Sequence, residues 1–253
     1  MQVTTRGHHE GMDIRGQVAL VTGASRGLGE ALSKALARRG ARVVLVARGA
    51  DDLERVARAI RAEGGEAHAL AFDVGDKSAI HRIAGAAAAL VGPPSIVVHN
   101  ASTLGPVPLP LLLDTECEDL ERVLAVNLVG PFRLTKALAG PMVLKKAGVF
   151  LFVSSDAAVS AYPRWGAYGV SKAAQDHLAR VLAAEMEPLR FFSVDPGEMD
   201  TKMHADAVPD ADPATMARPE HVAERLVAIV QRAESLTNGA RLLAADFEIG
   251  GAH

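Results

Sequence analysis

Cysteine is nearly absent from this chain of 253 residues: Cys117 is the single one. That excludes an intrachain disulfide and a multi-thiolate zinc site, and a lone thiol suits a reducing compartment, the cytoplasm. Charge of one sign is missing as well. The 27 basic and 30 acidic residues leave a net charge of −3 with no Lys/Arg block, so the electrostatic footprint of a nucleic-acid binder is not there. No run of about 18 apolar residues argues for a transmembrane helix. The first ten residues, Met1 to Glu10, lack the apolar core of a secretory signal. They read as part of a polar arm, residues 1–13, ahead of one domain over 14–253. What remains is 49% hydrophobic and 23% charged, the balance of a packed globule with a large core.

After the arm, apolar runs alternate with amphipathic stretches, the pattern of repeated βαβ units. The runs predict strands at Val18–Val21, Val43–Ala47, Ala67–Phe72, Ser95–His99, Val149–Ser154, Phe191–Val194 and Arg241–Ala245. Between them the spacing predicts helices over Leu28–Arg39, Asp51–Glu63, Ser78–Leu90, Thr115–Lys146, Gly166–Glu187 and Pro219–Arg232. Thr115 and Glu118 are spaced as a capping box, and Gly130-Pro131 should kink the long helix they open. Asp206–Ala214 is the candidate mobile loop. Strands that are apolar without strict alternation imply a parallel sheet buried on both faces. The expected fold is therefore α/β, a doubly wound parallel sheet of about seven strands.

Between the first strand and first helix lies Thr22-Gly23-Ala24-Ser25-Arg26-Gly27-Leu28-Gly29. A strand-to-helix turn aims backbone N–H groups and the positive helix end at one place, and glycines let a pyrophosphate approach it. The second strand ends on Ala47-Arg48, with no acidic residue to accept from an adenosine ribose. Arg48 and Arg26 instead offer two guanidinium groups suited to a 2′-phosphate. NADP(H) is favoured, with NAD(H) as the alternative.

Tyr168 and Lys172 stand four residues apart on a helix, hence on one face. A nearby ammonium favours phenolate and should lower the tyrosine's pKa toward a useful range. Ser155 lies thirteen residues before Tyr168, at the carboxyl end of the fifth strand, where parallel sheets bind their ligands.

The combination of Thr22–Gly29, Asn100-Ala101, Asn127, Ser155, Tyr168, Lys172 and Pro196-Gly197 resembles the short-chain dehydrogenase/reductase family over nearly the whole chain, about 16–245. The resemblance implies a Rossmann-type domain and an oxidoreductase moving hydride between a nicotinamide and a carbonyl or alcohol. It makes Tyr168 the proton donor and acceptor, and Lys172 the group that tunes it and holds the nicotinamide ribose. Ser155 would orient the substrate oxygen, and Asn127 would hold a water in the proton relay. Among cofactor contacts it places Asp73-Val74 beside adenine and Asn100-Ala101 beside its ribose. The segment Pro196 to Thr201, with Gly197, Met199 and Thr201, falls around the carboxamide. It also implies a small-molecule substrate and a homotetramer or homodimer. Ser102, where glycine is usual, and His99, where asparagine is frequent, depart from the pattern, as does the ending Ala245–Glu248.

Other residues take plainer readings. The adjacent His8-His9 suggest no metal site, and Cys117 reads as a small buried hydrophobe. Tyr162, Pro163, Arg164 and Trp165 are candidates for a pocket wall, and Met199 and Met203 for a cover over the substrate. The rival to an enzyme is a non-catalytic dinucleotide-binding redox sensor. A sugar-nucleotide epimerase would need a larger substrate domain than the stretch after Thr201 allows.

Overall fold

A computed structural model describes residues 11–248. Seven parallel strands form one sheet in the order β3-β2-β1-β4-β5-β6-β7. They are β1 (Val18–Thr22), β2 (Arg42–Ala47), β3 (Glu66–Ala71), β4 (Ile96–His99), β5 (Val149–Val153), β6 (Arg190–Asp195) and β7 (Arg241–Leu243). The helices are α1 (Gly27–Arg38), α2 (Ala50–Ala62), α3 (Ile80–Val91), α4 (Cys117–Leu124), α5 (Gly130–Lys145), α6 (Gly166–Glu185), α7 (Lys202–Ala207) and α8 (Pro219–Gln231). The doubly wound expectation holds.

Strand side chains alternate between two cores, as the pleat requires. Ala19 and Val21 of β1 join α1, α2 and α8 on one face, while Val18 and Leu20 join α3, α5 and α6 on the other. Both faces are covered, which is why the strands read as continuous apolar runs. The chain order reverses between β1 and β4, which pair through Ala19↔Ile96 and Val21↔Val98. That switch point opens a crevice at the carboxyl ends of the strands.

Several local expectations change. The long helix divides into α4, a π-helical turn over Ala125–Val129, and α5; the break precedes Gly130-Pro131, where proline withholds a backbone donor. The capping box does not form. Glu116 is the N-cap without a side-chain bond, and Thr115 Oγ1 turns back to donate to Leu111 O at 3.1 Å. Cys117 is exposed instead of buried, because it sits on the outer face at the start of α4. The supposed loop at Asp206–Ala214 begins within α7 and ends in a 3-10 turn at Pro213–Thr215. Of the expected arm, residues 1–10, with His8-His9, lie outside the described residues, whereas the Met12 N–H already donates to Gln231 O at 2.7 Å.

Among the described residues no helix is long and apolar enough to cross a membrane.

Candidate active site

The turn after β1 is held from below. Thr22 Oγ1 accepts from the N–H groups of both Asn100 and Ala101 at 3.0 Å, and Asn100 Nδ2 donates to Thr22 O at 3.0 Å and Gly23 O at 3.2 Å. This lattice ties the ends of β1 and β4 together and leaves no room for side chains. Gly23 takes a φ of +66°, and a Cβ on Gly29 would overlap Gly23 O and approach Asn100 Nδ2 to 2.5 Å. Arg26, the N-cap of α1, makes no side-chain cap, so first-turn N–H groups face the crevice unclaimed by a capping side chain.

A cavity of about 400 Å³ opens over this turn. Gly23, Ser25, Arg26, Gly27 and Leu28 line its floor, Arg48, Asp73 and Val74 one end, and Lys172, Pro196, Met199 and Thr201 the other. Asn100 and Ala101 lie between the two ends. Among the described residues neither Arg26 nor Arg48 takes part in a side-chain hydrogen bond or ion pair, and both are exposed. Asp73 is engaged: its carboxylate accepts from Gly75 N at 2.8 Å and Arg122 Nη2 at 2.7 Å. Burial opposes its ionisation, but these bonds and the nearby guanidinium groups prevail and hold its pKa below the usual carboxylate range. Thr201 caps α7, its Oγ1 accepting from His204 N at 3.3 Å.

A second cavity of about 300 Å³ adjoins the first. Ser154, Tyr168, Pro196, Met199, Thr201 and Met203 line both, so the phenol stands where the two meet. Ser155, Tyr162, Trp165 and Gly197 line only the second; Pro163 and Arg164 line neither. Arg164 instead donates to Leu109 O at 3.2 Å. Trp165 meets the Tyr168 ring edge-on at 5.7 Å between centroids.

The phenol's acidity departs from expectation. Burial disfavours the phenolate and pushes the Tyr168 pKa up to about 12, against the opposing influence of the neighbouring Ser155 and Ser102 hydroxyls. Lys172 does not reverse this, because its ammonium lies 5.5 Å from the ring centroid and is bonded elsewhere. Its Nζ donates to Val153 O at 2.6 Å and Gln175 Oε1 at 3.3 Å. Burial draws the lysine's own pKa down to about 8, against the pull of Asp176.

Asn127 sits fully buried in the π turn. Its side chain accepts from Thr103 N at 2.8 Å and donates to Thr103 O and Ser171 Oγ, both at 2.9 Å. Ser155 Oγ donates to Asp156 Oδ1 at 2.9 Å and accepts from Ala157 N at 3.2 Å. Asp156 Oδ2 accepts from Tyr162 Oη at 2.9 Å. The Ser155 carbonyl is fixed by Arg241 Nη2 at 2.9 Å, and the same guanidinium pairs with Asp176 and Asp195.

Most of the sequence-nominated residues thus line one or other of two adjoining cavities, whereas Gly29 and Asn127 line neither, the Asn127 side chain being spent on Thr103 and Ser171. Sequence reasoning passed over Gln175, Asp156, Asp195 and Arg241. Gln175 and Asp176 carried a signal, being polar residues on the same helical face as Lys172; Arg241 carried none, since its partners lie 46 and 65 positions away. His99 is a core residue: burial holds its pKa down to about 3, and Nε2 meets Thr135 Oγ1 at 2.8 Å.

A family model described as short chain dehydrogenase matches residues 17–212. A short chain dehydrogenase of Pseudocercospora fijiensis is 38% identical over 199 residues, 76% of this chain but 62% of the fungal protein, less than two thirds of its length. The 2,3-dihydro-2,3-dihydroxybenzoate dehydrogenase of Bacillus subtilis is 33% identical over 192 residues, 75% of this chain and 72% of that one. Among solved structures, an alcohol dehydrogenase from the archaeon Thermococcus sibiricus, complexed with 5-hydroxy-NADP, is similar with a TM-score of 0.81 at 29% identity. That match covers 90% of this chain and 95% of the archaeal one.

Proposed function

The chain belongs to the short-chain dehydrogenase/reductase family of NAD(P)-dependent oxidoreductases, and from that premise we propose that it interconverts an uncharged carbonyl compound and its alcohol, with NADPH preferred. The observation that carries this reading is the place of Tyr168 at the junction of two cavities, in contact with both. The first cavity fits a dinucleotide: a glycine cradle closed to Cβ atoms, uncapped helix amides and two unpaired guanidinium groups. A nicotinamide bound there would supply or take up the hydride.

The chain's own residues do the rest. Tyr168 Oη gives its proton to the carbonyl oxygen in reduction and takes one back in oxidation. A phenol held protonated by burial suits the donating direction. Ser155 orients the substrate oxygen, Lys172 faces the cofactor cavity with its remaining N–H, and Asn127 braces the segment around Thr103. The comparisons name dehydrogenases and reductases, and no member of the Ser-Tyr-Lys set is missing, so the sensor reading is not favoured.

The second cavity supports an uncharged substrate. Leu104, Trp165, Met203 and Val208 make its apolar wall, Asp156 and Glu198 bring negative charge, and no lysine or arginine lines it. Exposed Phe132, Val143 and Leu144 on α5 favour a second copy of this chain as partner, which light scattering tests.

Tyr168→Phe is the direct test, read by nicotinamide absorbance over a panel of ketones, aldehydes and alcohols. Turnover should fall by about 10²-fold or more with cofactor affinity retained. Wild-type turnover in that variant overturns the assignment, and cofactor binding without any turnover by the parent protein revives the sensor. For the cofactor, Arg48→Ala or Arg26→Ala should weaken NADPH by about tenfold or more and leave NADH nearly unchanged. Equal weakening of both refutes the preference.

A further inference from the structure

Beneath Lys172, α6 buries an uncharged polar side chain completely: Gln175, three residues further along, has no exposed surface. A buried carboxamide is costly unless both ends are paired, and here they are. Gln175 Oε1 accepts from Lys172 Nζ at 3.3 Å, and Nε2 donates to the main-chain carbonyl of Asn127 at 2.9 Å.

That carbonyl lacks its α-helical donor. In α-helical register its partner would be the N–H of residue 131, which is proline and has none. The π turn over Ala125–Val129 lies at this break. The rest of Asn127 is spent on Thr103 and Ser171. The ammonium has three N–H donors. One goes to Val153 O, one to Gln175, and the third remains for the cavity that Lys172 lines.

We propose that Gln175 is the positioning residue for Lys172: its carboxamide bridges the Asn127 carbonyl to the ammonium and holds the lysine toward the cofactor cavity without neutralising it. This role rests on Lys172 acting as the functional reading assigns.

Three substitutions separate positioning from packing. Gln175→Leu fills the volume and removes both bonds. Gln175→Ala opens a space in which a water finds Lys172 Nζ and Asn127 O as partners. Gln175→Glu adds a charge that pairs with the ammonium. Of the charged and titratable groups nearby, Asp176 acts on Lys172 and the Tyr168 ring lies beside it, Asp156 after β5 and Asp195 at the end of β6 act on the phenol, and Arg241 of β7 pairs with Asp176 and Asp195. All stay in place in each variant.

The readouts are NADPH affinity by fluorescence, kcat/KM across pH, and the Lys172 titration by NMR of 13C-lysine-labelled protein, with circular dichroism confirming the fold. Gln175→Leu should lose about 10- to 100-fold in kcat/KM, and Gln175→Ala should recover most of it. Gln175→Glu should move the Lys172 titration, and the alkaline limb of the rate profile with it, to higher pH. A Leu variant that matches the parent while Ala is weaker shows packing alone and overturns the proposal. So does a Lys172 titration unchanged in all three. If Gln175→Leu fails to fold, the Ala and Glu variants decide by the same titration. If Tyr168→Phe keeps full turnover, the functional reading falls, yet the lysine titration still reports whether the bridge exists.

Discussion

Arg241→Met tests how the fold holds Ser155 in place. The methionine keeps much of the arginine stem and removes the guanidinium, which pairs with Asp176 at 3.0 Å and Asp195 at 2.8 Å and donates to Ser155 O at 2.9 Å. The two carboxylate side chains are only 5% and 9% exposed, so water replaces the lost partner poorly. Asp176 Oδ1 already has none. Removing one member of a buried ion cluster costs about 3–5 kcal/mol because the remaining charge is left unpaired. For a domain of this size that corresponds to a fall in Tm of about 6–20 °C. Urea unfolding followed by circular dichroism gives the free energy directly.

Substrate KM should rise as the Ser155 segment loosens. A loss below about 1 kcal/mol would refute the claim that Arg241 neutralises a buried acidic pair.

Two further outcomes follow from the site. Lys172 carries its charge below a pH of about 8 and loses it as pH rises through that value, so cofactor affinity should weaken above pH 8 while Lys172→Met shows no such transition; fluorescence titration at pH 6.5 and 9.5 decides it. Gly29→Ala forces a methyl into Gly23 O and Asn100 Nδ2. It should destabilise the domain by about 1–3 kcal/mol and abolish dinucleotide binding, and an intact dissociation constant would show that the turn yields.

Much of the fold was legible because its signals are local. Each strand reads as a short apolar run since both sheet faces are covered, and several helices show their stripe, as Leu53, Val56 and Ile60 do on α2. The errors lie where a local rule met a distant competitor. Thr115 and Glu118 have capping-box spacing, yet Thr115 bonds back to Leu111 and the helix starts two residues later. Cys117 has the composition of a core residue, but its face of α4 meets no neighbouring layer.

Covalent spacing alone determined that Tyr168 and Lys172 share a helix face, and that a glycine turn follows β1 into α1. Only tertiary packing decided what those groups are chemically. The phenol is driven toward the protonated form because the crevice excludes water from it, a penalty that no four-residue interval encodes. Gln175 reaches a carbonyl 48 residues away, and Arg241 a carbonyl 86 residues away. Periodicity follows from bonds along the chain, whereas acidity and orientation follow from which atoms displace water, and that is known only once the layers close.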